Sequence, residues 1–189
     1  MKKSIGAKTI LYPAPILIVG TFDKDGRPNA MTAAWGGICC SSPPCVTVSL
    51  RKATYSYQCI VDSGAYTLSI PSEEHVAAAD YLGMVSGKNE DKFKTAGLTP
   101  VKSDRVNAPY VKEFPLILEC KLIHTLEIGL HTQFVGEILD IKADESILGE
   151  NGLPGIDKLK PIIYATAEKA YFSVGNKIGD AFSIGKHLK

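Results

Sequence analysis

The sequence predicts one mainly β domain, a mostly antiparallel barrel with short helical insertions. Three observations carry that expectation. Short runs rich in β-branched and apolar residues are separated by Gly, Pro and Asp turn signals instead of regularly spaced helices. The second half holds a long run of two-residue alternation, Pro115 to Ile128. No G-x-G-x-x-G follows a strand, so the alternating parallel architecture that binds dinucleotides is not indicated.

Each element has a local reason. Ile16 to Val19, with Thr21 and Phe22, reads as a buried strand. Asp23 to Gly26 is a hairpin signal, because Gly26 can take the positive φ that such a turn needs. The partner strand runs from Asn29 to Trp35. Gly36-Gly37 then either breaks the strand or lets a backbone or a ligand come close. Pro43-Pro44 fixes an extended approach to a strand from Cys45 to Leu50. Thr54 caps a helix to Asp62, with Ile60 and Val61 as its apolar residues and Gly64 as its stop.

Ala65 to Ile70 is the next strand, and Ser72 caps a second helix with Glu73 and Glu74 near its positive end. The polar loop Ser86-Gly87-Lys88-Asn89 leads into a short helix that ends by Gly97. In the long alternating run, Leu116, Leu118, Cys120 and Leu122 face the core, while Glu119 and Lys121 face water. Gly129 interrupts it before a strand from Thr132 to Lys142. Residues 144–160 are loop-like, Ile162 to Thr166 is a last strand, and the glycine-rich tail is mobile or packs on another chain. No internal repeat or linker divides residues 1–189.

Composition removes several functions. With 21 basic against 20 acidic side chains, the chain lacks the basic excess that nucleic acid requires. No window approaches a membrane span, and Lys2 and Lys3 are not followed by the apolar stretch of a signal peptide. A soluble, cytoplasmic protein is expected. The five Cys include no C-x-x-C, so no metal site is expected, and all are read as small buried thiols in a reducing compartment.

No nucleophile elbow, HExxH, P-loop or Ser-His-Asp pattern is present. Of the four His, His131 stands out, because it follows a glycine at the junction of two long strands where side chains often rim a site. Its role is either functional or structural. The stretch from Asn29 to Pro44 holds the only Trp among small residues that cannot fill a core, leaving room for a flat ligand. The Ser86 loop has the chemistry of an anion site, though a solvated helix cap has the same composition. An aromatic, small residues and an anion loop without a nucleophile point to an organic cofactor that carries the chemistry itself.

These residues together resemble the flavin reductase-like, FMN-binding split-barrel family, and its flavoredoxin branch most closely. The likeness runs through Asn29 and Thr32, Ala33-Ala34-Trp35-Gly36, Ser42 to Pro44, Ser49-Leu50-Arg51 and Thr54. It continues through Ser86-Gly87-Lys88, Asp91-Lys92-Phe93, and Gly129, His131 and Phe134 to Glu137. The resemblance implies a six-stranded antiparallel Greek-key split barrel, a homodimer, and one FMN per subunit near the dimer interface. It implies that Asn29, Met31, Thr32, Ala33, Ala34 and Trp35 line the ring. Arg51 and Thr54, with Ser86, Gly87 and Lys88, would hold the phosphate and ribityl chain. Lys92 and His131 would approach the ring's polar edge, Asp91 and Phe93 would also bind the cofactor, and Tyr164 would close the pocket, with His131 the candidate catalytic residue.

Many NAD(P)H:flavin reductases of the family carry Gly-Asp-His where this chain has Gly129-Leu130-His131. They also carry small or hydroxyl residues where Trp35 stands. Both differences favour an electron carrier that keeps its FMN and exchanges electrons with a redox partner protein. The alternatives are an NAD(P)H-dependent flavin or ferric reductase, a flavin storage or sensor module, and a barrel that binds no cofactor.

Overall fold

Residues 1–188 are described by a computed structural model. A two-residue strand, β1 (Ala14–Pro15), leads into the hairpin of β2 (Leu17–Phe22) and β3 (Pro28–Ala33). Its turn has Gly26 at φ 76°, as expected, and Asp23 accepts from the Asp25 and Arg27 amides. A second hairpin joins β4 (Gly36–Ser41) to β5 (Pro44–Arg51). Here the expectation is corrected. Gly36 to Ser41 is an edge strand, and Ser42-Pro43 forms a tight turn and not an extended approach. Helix α1 (Tyr55–Ser63) then crosses to β6 (Ala65–Ile70), ending on Gly64 at φ 64°. Ile60 is buried but Val61 is exposed, so the helix has a narrower apolar face than expected.

A 3-10 turn at Glu73–His75 precedes α2 (Val76–Met84), and α3 (Lys92–Ala96) follows the polar loop. The small ribbon of β7 (Pro100–Lys102) and β8 (Pro109–Val111) leads to the long hairpin of β9 (Leu116–Ile128) and β10 (His131–Ala143). Beyond it come α4 (Ile156–Leu159) and the pair β11 (Ile163–Ala165) and β12 (Ala170–Phe172). β12 was not expected. The segment after it is exposed, apart from half-buried positions such as Val174, and ends in a 3-10 helix at Ile184–Leu188.

The main sheet runs β3-β2-β6-β9-β10-β5-β4, all antiparallel. Leu17 and Val19, Ala33, Val46, Val48 and Leu50, Tyr66 and Leu68, Leu118 and Cys120, and Phe134 and Ile138 share one core. Six strands contributing to a single core means that the sheet curls on itself as a split barrel. The seventh strand, β4, extends the edge beyond the six expected. Gly136 lets the barrel close over Tyr66, since a Cβ there would stand 2.4 Å from the Tyr66 hydroxyl.

A second core lies on the outer face. Ile16, Ile18 and Ala30 pack there against Ala79, Leu82, Phe93, Val111, Phe114 and Ile117. Burying each of these larger side chains is worth roughly 1.5–3 kcal/mol. The outer layer also corrects the reading of Glu119. It is fully buried, not facing water, and Lys142 Nζ lies 3.6 Å from its Oε2.

Candidate functional site

The two-residue period of β5 and β10 decides which predicted residues can meet a ligand. Their register pairs Arg51 with His131, Ser49 with Gln133 and Thr47 with Val135. Directly opposed residues of an antiparallel pair point to the same face. Thr47, Ser49, Arg51, His131 and Gln133 therefore share the outer face, while Val46, Val48, Leu50 and Phe134 fill the barrel. Above that polar stripe lies a cavity of about 730 Å³. Its floor is Thr47, Ser49, His131 and Gln133, and its walls are Ala34, Trp35, Gly36, Gly37, Ile38, Ile128 and the segments Lys8 to Leu11 and Pro13 to Pro15.

Trp35 is 38% exposed, so a large aromatic face is available there. It is held from below, because the Ser49 amide donates to its carbonyl at 2.8 Å. The two glycines beside it differ. A Cβ at Gly36 would meet the Thr47 carbonyl at 2.5 Å, so strand pairing demands that glycine. At Gly37 nothing lies within 4 Å, and the cavity is offered bare backbone. An aromatic face, an open backbone wall, apolar Ile38 and Ile128, and a hydroxyl–amide–imidazole edge fit a flat heteroaromatic ring with one polar side.

Eight of the predicted residues border two smaller cavities. One of about 260 Å³ is bordered by Asn29, Gly87, Lys88 and Asp91 together with Asp23, Arg27 and Tyr55. Asn29 is buried, and its amide nitrogen donates to Ser56 Oγ at 2.8 Å and Thr21 Oγ1 at 3.3 Å. Among the described residues its Oδ1 has no hydrogen-bond partner, an unmet demand in a buried group. Gly87 is required there, since a Cβ would stand 2.0 Å from that oxygen. Asp23 is the electrostatic anchor of this rim. Burial pushes its carboxyl up, but the Arg27 amide, the Tyr55 hydroxyl, the Asp25 amide and the Arg27 guanidinium outweigh it and hold the pKa at about 2.

The other cavity, about 320 Å³, is bordered by Thr32, Ala33, Ala34 and Tyr164, with Gly83, Asp80, Lys169 and Tyr171. Tyr164 and Tyr171 pack with ring centroids 5.6 Å apart. The Tyr171 hydroxyl donates to Asp80 Oδ1 at 2.7 Å, and burial followed by that carboxylate pushes its pKa up. Ala34 borders both this cavity and the large one.

Several predicted residues serve differently from the expectation. Leu50 and Phe93 are buried in the barrel and outer cores, and Met31 is half-buried against the barrel core, so their side chains belong to packing. Thr54 occupies the N-cap of α1 but gives that helix no side-chain cap. Its hydroxyl donates instead to the Arg51 carbonyl at 2.8 Å, pinning the end of β5. Arg51 is exposed at that end and borders none of the three cavities. Ser86 Oγ accepts from the Lys88 amide at 3.3 Å, which shapes the loop.

Lys92 is buried and its ammonium donates to the Leu82 carbonyl at 2.6 Å, capping one of the orphan carbonyls at the end of α2. Burial pulls its pKa down to about 8, with Glu90 opposing. Thr32 donates to the Ala79 carbonyl and ties β3 to the same helix.

The cysteines correct another expectation. Cys45, Cys59 and Cys120 are buried, but Cys39 and Cys40 are exposed on β4. Sequence reasoning also missed Thr47 and Gln133. Both lie two residues from predicted ones, Ser49 and His131, so strand periodicity carried the signal. The Lys8 to Leu11 wall offered none. Among the described residues no helix is long and apolar enough to cross a membrane, and no three His, Cys, Asp or Glu are grouped for a metal ion.

Comparison with known proteins adds a lineage to this geometry. The model of the flavin reductase like domain matches residues 9–173. The structure of the flavoredoxin of Desulfovibrio vulgaris (Miyazaki F) superposes with a TM-score of 0.95 at 57% identity, covering 98% of this chain and 100% of that one. The flavoredoxin from Methanosarcina acetivorans superposes with a TM-score of 0.93 at 30% identity, covering 100% of both chains. An uncharacterized protein of Archaeoglobus fulgidus is 33% identical over 162 residues, 85% of this chain and 88% of its own.

Proposed function

The chain belongs to the flavin reductase-like domain family, and from that premise we propose that it is an FMN-binding electron-transfer flavoprotein of the flavoredoxin type. The observation that carries the reading is the large cavity, where Trp35 and the bare backbone of Gly37 face a polar stripe at Ser49, Gln133 and His131. A bound FMN supplies the electron-transfer chemistry.

The chain's own residues bind and orient it. With FMN bound, Trp35 and Ala34 would hold the ring, Thr32, Ala33 and Tyr164 would bound it from the adjoining cavity that shares Ala34, and Asn29 would meet the cofactor from the cavity beside Lys88. Stacking on Trp35 contributes about 1 kcal/mol beyond burial. His131, on the polar floor of the cavity, would face the ring's polar edge and offer it a hydrogen bond. The ammonium of Lys92 is committed to the Leu82 carbonyl, so what it would offer a bound ring is its charge and not a hydrogen bond. Arg51 and Lys88, with the Ser86 hydroxyl, would supply the charge-assisted donors that a phosphate needs, while Thr54, whose hydroxyl is committed to the Arg51 carbonyl, would hold the end of β5 beside them.

The same reading includes a homodimer. Ile10, Leu11, Ile38, Ile128 and Leu130 are all exposed around the cavity. An apolar rim of this kind marks an interaction surface. A second copy seated there would exclude water from the ring.

Three measurements test the reading. The protein as purified should show flavin absorption bands, or acquire them with added FMN; a colourless protein that ignores FMN would overturn it. Purified protein with added FMN should oxidise NADH and NADPH slowly, and rapid turnover would replace the carrier with a reductase. Arg51→Ala should weaken FMN far more than riboflavin, whereas equal losses would place the phosphate elsewhere.

A further inference from the structure

Three of the five cysteines lie within seven residues, Cys39, Cys40 and Cys45, at the β4–β5 hairpin. All are free thiols. The ladder makes Cys40 and Cys45 direct partners across the two strands, immediately beside the Ser41–Pro44 pair that closes the turn. Opposed antiparallel residues have Cβ atoms about 4.5–5.5 Å apart, and a disulfide needs about 3.5–4.5 Å with Cα atoms about 4.4–6.8 Å apart. Only a small movement separates the two arrangements. The edge strand is suited to it, because a bulge lies between Ile38 and Cys40 and, among the described residues, β4 pairs only with β5. The Cys40 thiol donates to the Ser42 carbonyl at 3.4 Å, a contact within the same turn that a small movement releases.

We infer that Cys40 and Cys45 form a thiol–disulfide exchange site that takes low-molecular-weight disulfides, separate from the flavin pocket. Cys40 is exposed and Cys45 is 3% exposed, so their roles differ. The Cys40 thiolate attacks one sulfur of the small disulfide, forming a mixed disulfide and releasing one small thiol. Cys45 loses its proton and attacks the Cys40 sulfur. The second small thiol leaves and the Cys40–Cys45 bond forms. In balance, two protein thiols are oxidised by two electrons and one small disulfide is reduced to two thiols. Burial pushes the Cys45 thiol up, as do Cys40, Cys39 and Glu137, which fits a resolving thiol better than an attacking one. Cys39 falls at the bulge and has no partner across the ladder, so it stays outside the pair.

The test uses full-length, fully reduced protein incubated with 2-hydroxyethyl disulfide and read by intact mass. In the Cys39→Ser protein the expected product is lighter by about two hydrogen atoms and carries no adduct. Adding Cys40→Ser should abolish that loss, and adding Cys45→Ser should leave one stable adduct on Cys40. Cys40 is exposed, so its variant remains informative even if replacement of buried Cys45 prevents folding. A stable adduct on Cys40 with Cys45 present would overturn the inference. So would a two-hydrogen loss that needs Cys39, which would show that the bond formed contains Cys39 instead.

Discussion

Replacing Lys92 with Met should change the way stability depends on pH. Burial pulls the ammonium from its ordinary 10.5 to about 8 in the folded chain. A folded pKa below the unfolded one means that the favourable contribution is complete above 10.5 and is lost as pH falls through about 8. At pH 7 both states carry the proton, and the folded state bears a desolvated charge. Each pKa unit corresponds to about 1.4 kcal/mol, so a gap of about two and a half units costs about 3 kcal/mol at that pH. At pH 10 most folded copies are neutral and about 1 kcal/mol of the cost remains. Met keeps the length and apolar stem but has no proton to lose. The lost bond to the Leu82 carbonyl offsets the variant by an amount that does not depend on pH.

Urea unfolding of both proteins at several pH values from 7 to 10, without added flavin, isolates this effect. Tyrosines and thiols titrate alike in the two. The stability of the wild type relative to the variant should rise by about 2–3 kcal/mol across that range. Parallel curves would refute the reasoning and show that the ammonium is solvated in the folded protein.

Three further outcomes follow from the structure. Gly20→Ala should cost about 3 kcal/mol in urea unfolding, since its Cβ would lie 2.0 Å from the Pro109 carbonyl oxygen; a cost near zero would mean that β8 moves freely. Asp23→Asn should lower stability at neutral pH and flatten the acid limb, because the wild-type contribution is present above 3.8 and lost as pH falls through about 2. Unchanged acid unfolding would remove Asp23 as an anchor. Trp35→Ala should leave the fold intact by circular dichroism, weaken FMN about fivefold or more, and alter the bound flavin's visible spectrum; an identical spectrum would move Trp35 away from the ring.

Much of the fold was legible because β2 and β6 announce themselves through β-branched residues between turns. Their observed bounds, Leu17–Phe22 and Ala65–Ile70, follow the expected ones closely. The β4 strand was not legible. Gly-Gly-Ile-Cys-Cys-Ser has neither alternation nor strand propensity, and its conformation comes from pairing with β5. Glu119 misled for a different reason. Its alternation is real, but the outer face is covered by elements distant in sequence. In the candidate site, the residue types were readable from local chemistry. Their division among three cavities depends on tertiary placement, as does the involvement of Lys8 to Leu11.

The fate of β2 has a wider consequence. Val19 and Leu17 point into the barrel, while Ile16 and Ile18 point into the outer core. A slip by one residue would exchange the two sets and leave both cores mismatched at once. The strand is thus a party wall between two rooms, and neither room can be demolished alone. The helices and the small ribbon look like additions to a barrel when the chain is read in order. Mechanically they are joint owners of it, so the barrel and its outer layer should melt together in one transition.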